Sequence, residues 1–70
     1  MTSEEVQQSI SAAYDSLNII SEMILIESPT EDDLDIIRRN KEHLSIMMAK
    51  TWFAKALTSE QTAEINSVSL

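Results

Sequence analysis

The stretch DSLNIISEMILIESPTEDDLD, Asp15 to Asp35, contains the end of one apolar helix, the chain's only proline and the start of a second helix. Proline has no N–H and disfavours helical geometry in the residue before it, here Ser28. The first helix is therefore expected to stop near Glu27. Thr30 is placed to cap the next one. Its hydroxyl can accept from the N–H of Asp33, while the Asp33 carboxylate reaches back to the N–H of Thr30. Pro29 can pack on Leu34 as a hydrophobic staple. Glu31, Asp32 and Asp33 set negative charge against the positive end of the helix dipole. The stretch reads as the bend of a helical hairpin.

Working outward, the N-terminal arm is predicted helical over about 3–27, with Thr2 and Glu5 at capping-box spacing. Val6, Ile10, Ala13, Leu17, Ile20 and Ile24 alternate in steps of four and three, one continuous heptad seam. A second stripe of Ala12, Ile19, Met23 and Ile26 runs beside it, and Leu25 adds to it. The later half of this helix is apolar around much of its circumference, which belongs in an interior.

The second arm is predicted helical over about 31–56. Folding it back on the first sets Ile24 opposite Leu34, Ile20 opposite Ile37 or Arg38, and Ala13 opposite Leu44. Ile10 then meets Met48, and Val6 meets Trp52. Leu17 falls opposite Lys41, whose stem can lie along the seam with its ammonium in water. Ile36, Ile46, Met47, Phe53 and Ala54 are left over. Trp52 and Phe53 cannot both face one seam, because successive helix residues point about 100° apart. Asp35 and Arg39 have the i, i+4 spacing of a surface ion pair. Thr58 and Gln61 have capping-box spacing and begin a short third helix, about 59–66. Residues 66–70 read as a loose tail. The fold expected is all-α, a single domain over 1–70: an antiparallel hairpin with a short C-terminal helix.

Seventy residues make a marginal core. There is no cysteine, so neither a disulfide nor a thiolate metal site is available, and the composition suits a reducing cytoplasm. One histidine cannot build a His-rich metal site. Self-association is the remaining way to add burial. Ile19, Met23, Ile26, Ile36, Met47 and Phe53 are its candidate residues, and a homodimeric four-helix bundle is the simplest assembly. Burying each extra Leu- or Ile-sized side chain stabilises by roughly 1.5–3 kcal/mol.

The net charge of −7 weighs against nucleic-acid binding and against anionic membrane surfaces. All five bases lie beyond residue 37. Glu22, Glu27, Glu31, Asp32, Asp33 and Asp35 form a candidate acidic partner face. The longest apolar run, Met23 to Ile26, cannot span a bilayer, and the N-terminus lacks the basic region of a signal peptide. With no glycine there is no phosphate-cradling loop. No catalytic, cofactor or metal constellation stands out. Glu42 and His43 with two nearby methionines are too few ligands for a metal, and two long helices offer no strained turn for a nucleophile.

Two resemblances bear on function. Asp15-Ser16-Leu17 is similar to the tripeptide that carries the phosphopantetheine serine of acyl carrier proteins, which implies Ser16 as the modified residue. It covers three residues only, and carrier proteins place a full helix and a long loop ahead of that serine. The stretch from Asn40 to Ile65 resembles small uncharacterised proteins of tailed bacteriophages and prophages. The matching residues are Glu42, His43, Leu44, Ile46, Met47, Ala49, Lys50, Trp52, Phe53, Leu57, Thr58, Glu60 and Gln61. This implies a phage or prophage origin, with action in the host cytoplasm, and no assigned chemistry. The reading is a non-enzymatic interaction or accessory protein acting through a self-associating helical scaffold, with itself and another protein as partners. An acidic inhibitor occupying a basic, nucleic-acid-binding site on a host protein is the alternative. An acyl-carrier-like protein is the remote third.

Overall fold

The computed structural model describes residues 2–69. It is all-α: α1 Ser3–Met23, α2 Glu31–Met48, α3 Thr51–Ala56 and α4 Ser59–Ser69. The first two are the arms of the hairpin and pack along each other, while α3 and α4 fold back against both. The body is elongated, 41 × 19 × 17 Å.

Side-chain caps hold three of the helix starts. At α2 both halves of the capping box form: the Asp33 N–H donates to the Thr30 hydroxyl at 3.1 Å, and the Thr30 N–H to the Asp33 carboxylate at 3.0 Å. At α4, Thr58 and Gln61 make the same reciprocal pair, at 3.1 and 2.9 Å. At α1 only the forward bond is present, from the Glu5 N–H to the Thr2 hydroxyl at 3.2 Å. Each cap satisfies a donor that the first helical turn leaves free.

The helix ends differ from those expected. α1 stops at Met23, four residues before Glu27. The N–H groups of Leu25 and Ile26 bond three residues back, to the carbonyls of Glu22 and Met23. Tight bonds of this kind close a helix end without glycine. The second arm is interrupted as well. α2 ends at Met48, Lys50 is extended (φ −83°, ψ 118°), and α3 starts at Thr51. The break redirects the aromatic pair. Phe53 turns wholly inward, Trp52 packs half-buried on the core, and their rings meet edge to face at 5.9 Å. The C-terminal helix is longer than 59–66: it continues to Ser69, so residues 66–69 extend a helix and are not a tail. Leu70 lies outside the described residues.

The core is Ile10, Ala13, Leu17 and Ile20 from α1, Leu44 from α2, Phe53 from α3 and Ile65 from α4. Val6, Met48 and Trp52 pack on it half-buried, and Ile37 is half-buried on α2. Two expected seam residues are not in it. Ile24 is 57% exposed and Leu34 is 53% exposed. The reason is reach: α4 is 11 residues long, roughly 16 Å at helical rise, and cannot cover the whole hairpin. Core burial therefore ends near Ile20 and leaves the tip open. Phe53 is corrected in the other direction. It is not an association residue, because it fills this core completely.

The two corrected residues give opposite expectations. Phe53→Ala should remove about 3–5 kcal/mol of stability or prevent folding. Ile24→Ala should change it by about 0.5 kcal/mol or less. Urea unfolding followed by circular dichroism distinguishes them, and equal effects would show that the core is placed wrongly.

Candidate association surface

Ser16 and His43 mark one flank of the hairpin. Ser16 is nearly buried on α1, and its Oγ lies 2.8 Å from Nδ1 of the half-buried His43 on α2. The hydroxyl donates when the ring proton is on Nε2 and accepts when it is on Nδ1. One turn away, Ala12 and Met47 line the same open groove. These two pairs set an antiparallel register. Carrying it on by helical turns puts Ile19 beside Asn40 and Met23 beside Ile36.

The result is a stripe four rungs long without a charged residue. Ile19 and Ile36 are 40% and 41% exposed, while Met23 and Met47 are half-buried. Asn40 uses its side-chain N–H on the Ile36 carbonyl at 2.8 Å, which satisfies one donor locally. Beyond the Ala12–Met47 rung the stripe opens into a shallow groove of about 480 Å³, also lined by Gln8 and Trp52 and edged by Glu5 and Lys50.

The opposite flank is covered. Tyr14 lies two residues before Ser16, about 200° around α1, and sits beside Glu64 of α4. Partial burial pushes the Tyr14 phenol above its ordinary value, and the Glu64 and then Glu60 carboxylates push it further. So α4 occupies the Tyr14 side and leaves the Ser16 side free.

Charge lies off the stripe. Among the described residues, ion pairs join Arg38 to Asp35 and Glu42, and Arg39 to Asp35 at 2.9 Å. The Arg38 hydrogen bond, with Arg39 and Arg38 charge beside it, holds the Asp35 carboxyl below its usual range. Of the candidate acidic face, Asp33 caps α2 and Asp35 is paired, while Glu22, Glu27, Glu31 and Asp32 are exposed around the hairpin tip. Ile26, expected to associate, also lies at the tip, in the turn after α1 and 39% exposed.

The Ser16–His43 contact escaped the sequence reading. The register that aligns Ile10 with Met48 sets Ser16 against Glu42, and the observed pairing is one residue further on. A lone serine and a lone histidine on separate helices carry no spacing signal; only a two-residue polar gap in otherwise apolar flanks marks them. The distance matches a nucleophile and its base. Both residues are mid-helix, however, where backbone N–H groups are already bonded and cannot stabilise an oxyanion. A serine that carries a prosthetic arm must present its hydroxyl to a modifying enzyme, and that of Ser16 faces His43 inside the hairpin. Among the described residues, no three His, Asp or Glu side chains group as metal ligands. No helix of the described residues is long and apolar enough to cross a membrane. Compared with known protein families, curated proteins and solved structures, the chain shows no significant match.

The chain has one tyrosine, so its titration reads the covered flank directly. Its midpoint should lie above 10.0. Folding holds this proton more tightly than the unfolded chain does. That stabilisation is complete below the unfolded value and is lost as pH rises through the folded one. Glu64→Gln should bring the tyrosinate absorbance midpoint part of the way back towards 10.0, with the effect of burial remaining; no change on substitution would mean that the Glu64 carboxylate does not act on Tyr14.

Proposed function

We propose that this protein is a non-enzymatic interaction module whose uncharged flank associates with a second copy of itself, forming a helical scaffold in the cytoplasm. The observation that carries this reading is the absence of charge from the four-rung stripe in a chain of net charge −7. The acidic surface of α1 and the hairpin tip repels the same surface of a second copy. Face to face on this stripe, Ile19, Met23, Ile36 and Met47 of each copy pack without opposing like charges. Asn40 and His43 lie among them, and polar residues within an apolar seam select one alignment.

The magnitudes favour a reversible pair. Ile19 and Ile36 have less than half of their surface left to bury, so each contributes about 1 kcal/mol, and the half-buried methionines less. Summed over two copies, this exceeds the lower range of association costs by at most about 4 kcal/mol, which corresponds to a dissociation constant of about 1 mM. The stripe therefore supports a dimer that dissociates on dilution.

Sedimentation equilibrium between ~10 μM and ~1 mM tests this. The mass should rise from 7.9 kDa towards twice that value. Ile19→Glu and Ile36→Glu should each hold the chain monomeric while changing unfolding stability by about 1 kcal/mol or less. A monomer throughout the range, or a dimer insensitive to both substitutions, would sink the proposal.

A further inference from the structure

The hairpin tip is built differently from the stripe. Ile24, Leu25 and Leu34 are 57%, 79% and 53% exposed, and none belongs to the core. They are nonetheless carried on well-bonded backbone. The Leu25 N–H bonds the Glu22 carbonyl at 3.2 Å, the Leu34 N–H bonds the Thr30 carbonyl at 3.0 Å, and the Thr30–Asp33 capping box closes the turn between them. Three large aliphatic side chains are thus exposed around the bend of the hairpin, two just after α1 and one in the first turn of α2.

The surroundings of this patch are acidic. Glu22, Glu27, Glu31 and Asp32 are exposed around it, and no Lys or Arg occurs among the first 37 residues. The nearest cations, Arg38 and Arg39, are engaged by Asp35 and Glu42. A second copy set tip to tip would press carboxylates against carboxylates. An anionic membrane surface would be repelled for the same reason. What complements an apolar centre with an anionic rim is an apolar centre with a cationic rim.

We propose that the tip, centred on Leu25 and Leu34, docks a basic amphipathic helix of a partner protein. Leu-like side chains of that helix cover Ile24, Leu25 and Leu34, and its Lys or Arg residues pair with Glu22, Glu27, Glu31 and Asp32. The apolar contacts supply most of the affinity; the carboxylates speed the encounter and exclude acidic competitors. The proposal is independent of self-association, because it uses the end of the hairpin and not its flank.

The test uses the full chain and three synthetic helical peptides: one of Leu and Lys, one of Ser and Lys with the same charge, and one of Leu and Glu. Binding is followed by fluorescence anisotropy and by amide NMR. The Leu/Lys peptide should bind, with shifts centred on residues 22–35, and should weaken roughly tenfold or more between ~50 and ~500 mM salt. The Ser/Lys and Leu/Glu peptides should bind at least ~10-fold more weakly. Leu25→Ser combined with Leu34→Ser should reduce Leu/Lys binding by a similar factor while leaving melting temperature and sedimentation mass unchanged. Equal binding of the Ser/Lys peptide, shifts centred on Ile19 and Ile36, or indifference to the double substitution would overturn the proposal. So would loss of self-association in the double variant, which would make a second copy the occupant of the tip. Binding of the chain to phosphatidylcholine vesicles through the same residues would assign the tip to lipid instead.

Discussion

The packing of Phe53 is the interaction on which this small core depends. α1 and α2 alone give a two-layer contact with Ile10, Ala13, Leu17, Ile20 and Leu44 on the inside. Two packed helices leave such side chains open at their edges. Phe53, wholly buried, closes one of them, and Ile65 of α4 is wholly buried beside it in the same cluster. The placement of Phe53 is not the one an uninterrupted second arm would give. A straight helix would carry Phe53 about 100° away from Trp52 and out of the seam. The extended Lys50 redirects the chain, at the loss of helical hydrogen bonds around one residue.

Much of the architecture was legible in the sequence because the signals were local. Thr30–Asp33 and Thr58–Gln61 are spaced for reciprocal caps, and both caps form. The heptad steps through Ile10, Ala13, Leu17 and Ile20 mark the buried side of α1. What escaped was set by tertiary reach. The Asn40–Thr58 stretch holds neither glycine nor proline, so the interruption at Lys50, which accompanies the burial of Phe53, carried no strong local signal. The short reach of α4 left Ile24 and Leu34 outside, and heptad spacing records which side of a helix is apolar but not how far a third layer extends along it. The stripe was half legible: Ile19, Met23, Ile36 and Met47 stood out as surplus, while the Ser16–His43 pair that fixes their shared flank is a tertiary contact with no local spacing signal.

The two exposed apolar regions differ in electrostatic setting, and this separates their readings. The flank is free of charge and is bounded on its far side by α4. The tip exposes Ile24, Leu25 and Leu34 among the exposed carboxylates Glu22, Glu27, Glu31 and Asp32. In a chain this acidic, a surface without charge and a surface with concentrated charge cannot favour the same occupant. The fold produces the contrast by laying α4 on the flank opposite the stripe, where Tyr14 and Glu64 meet, and leaving the tip uncovered.

That asymmetry also bears on how such a protein can change over generations. Residues 24–34 contribute no side chain to the core, so substitutions there, apart from the Thr30–Asp33 cap that holds α2, carry small folding penalties and add independently to those elsewhere. Phe53 and Leu44 have no such latitude. The hairpin therefore divides into a conservative body and an evolvable head, and the head can drift to a new binding preference while the body keeps the chain folded.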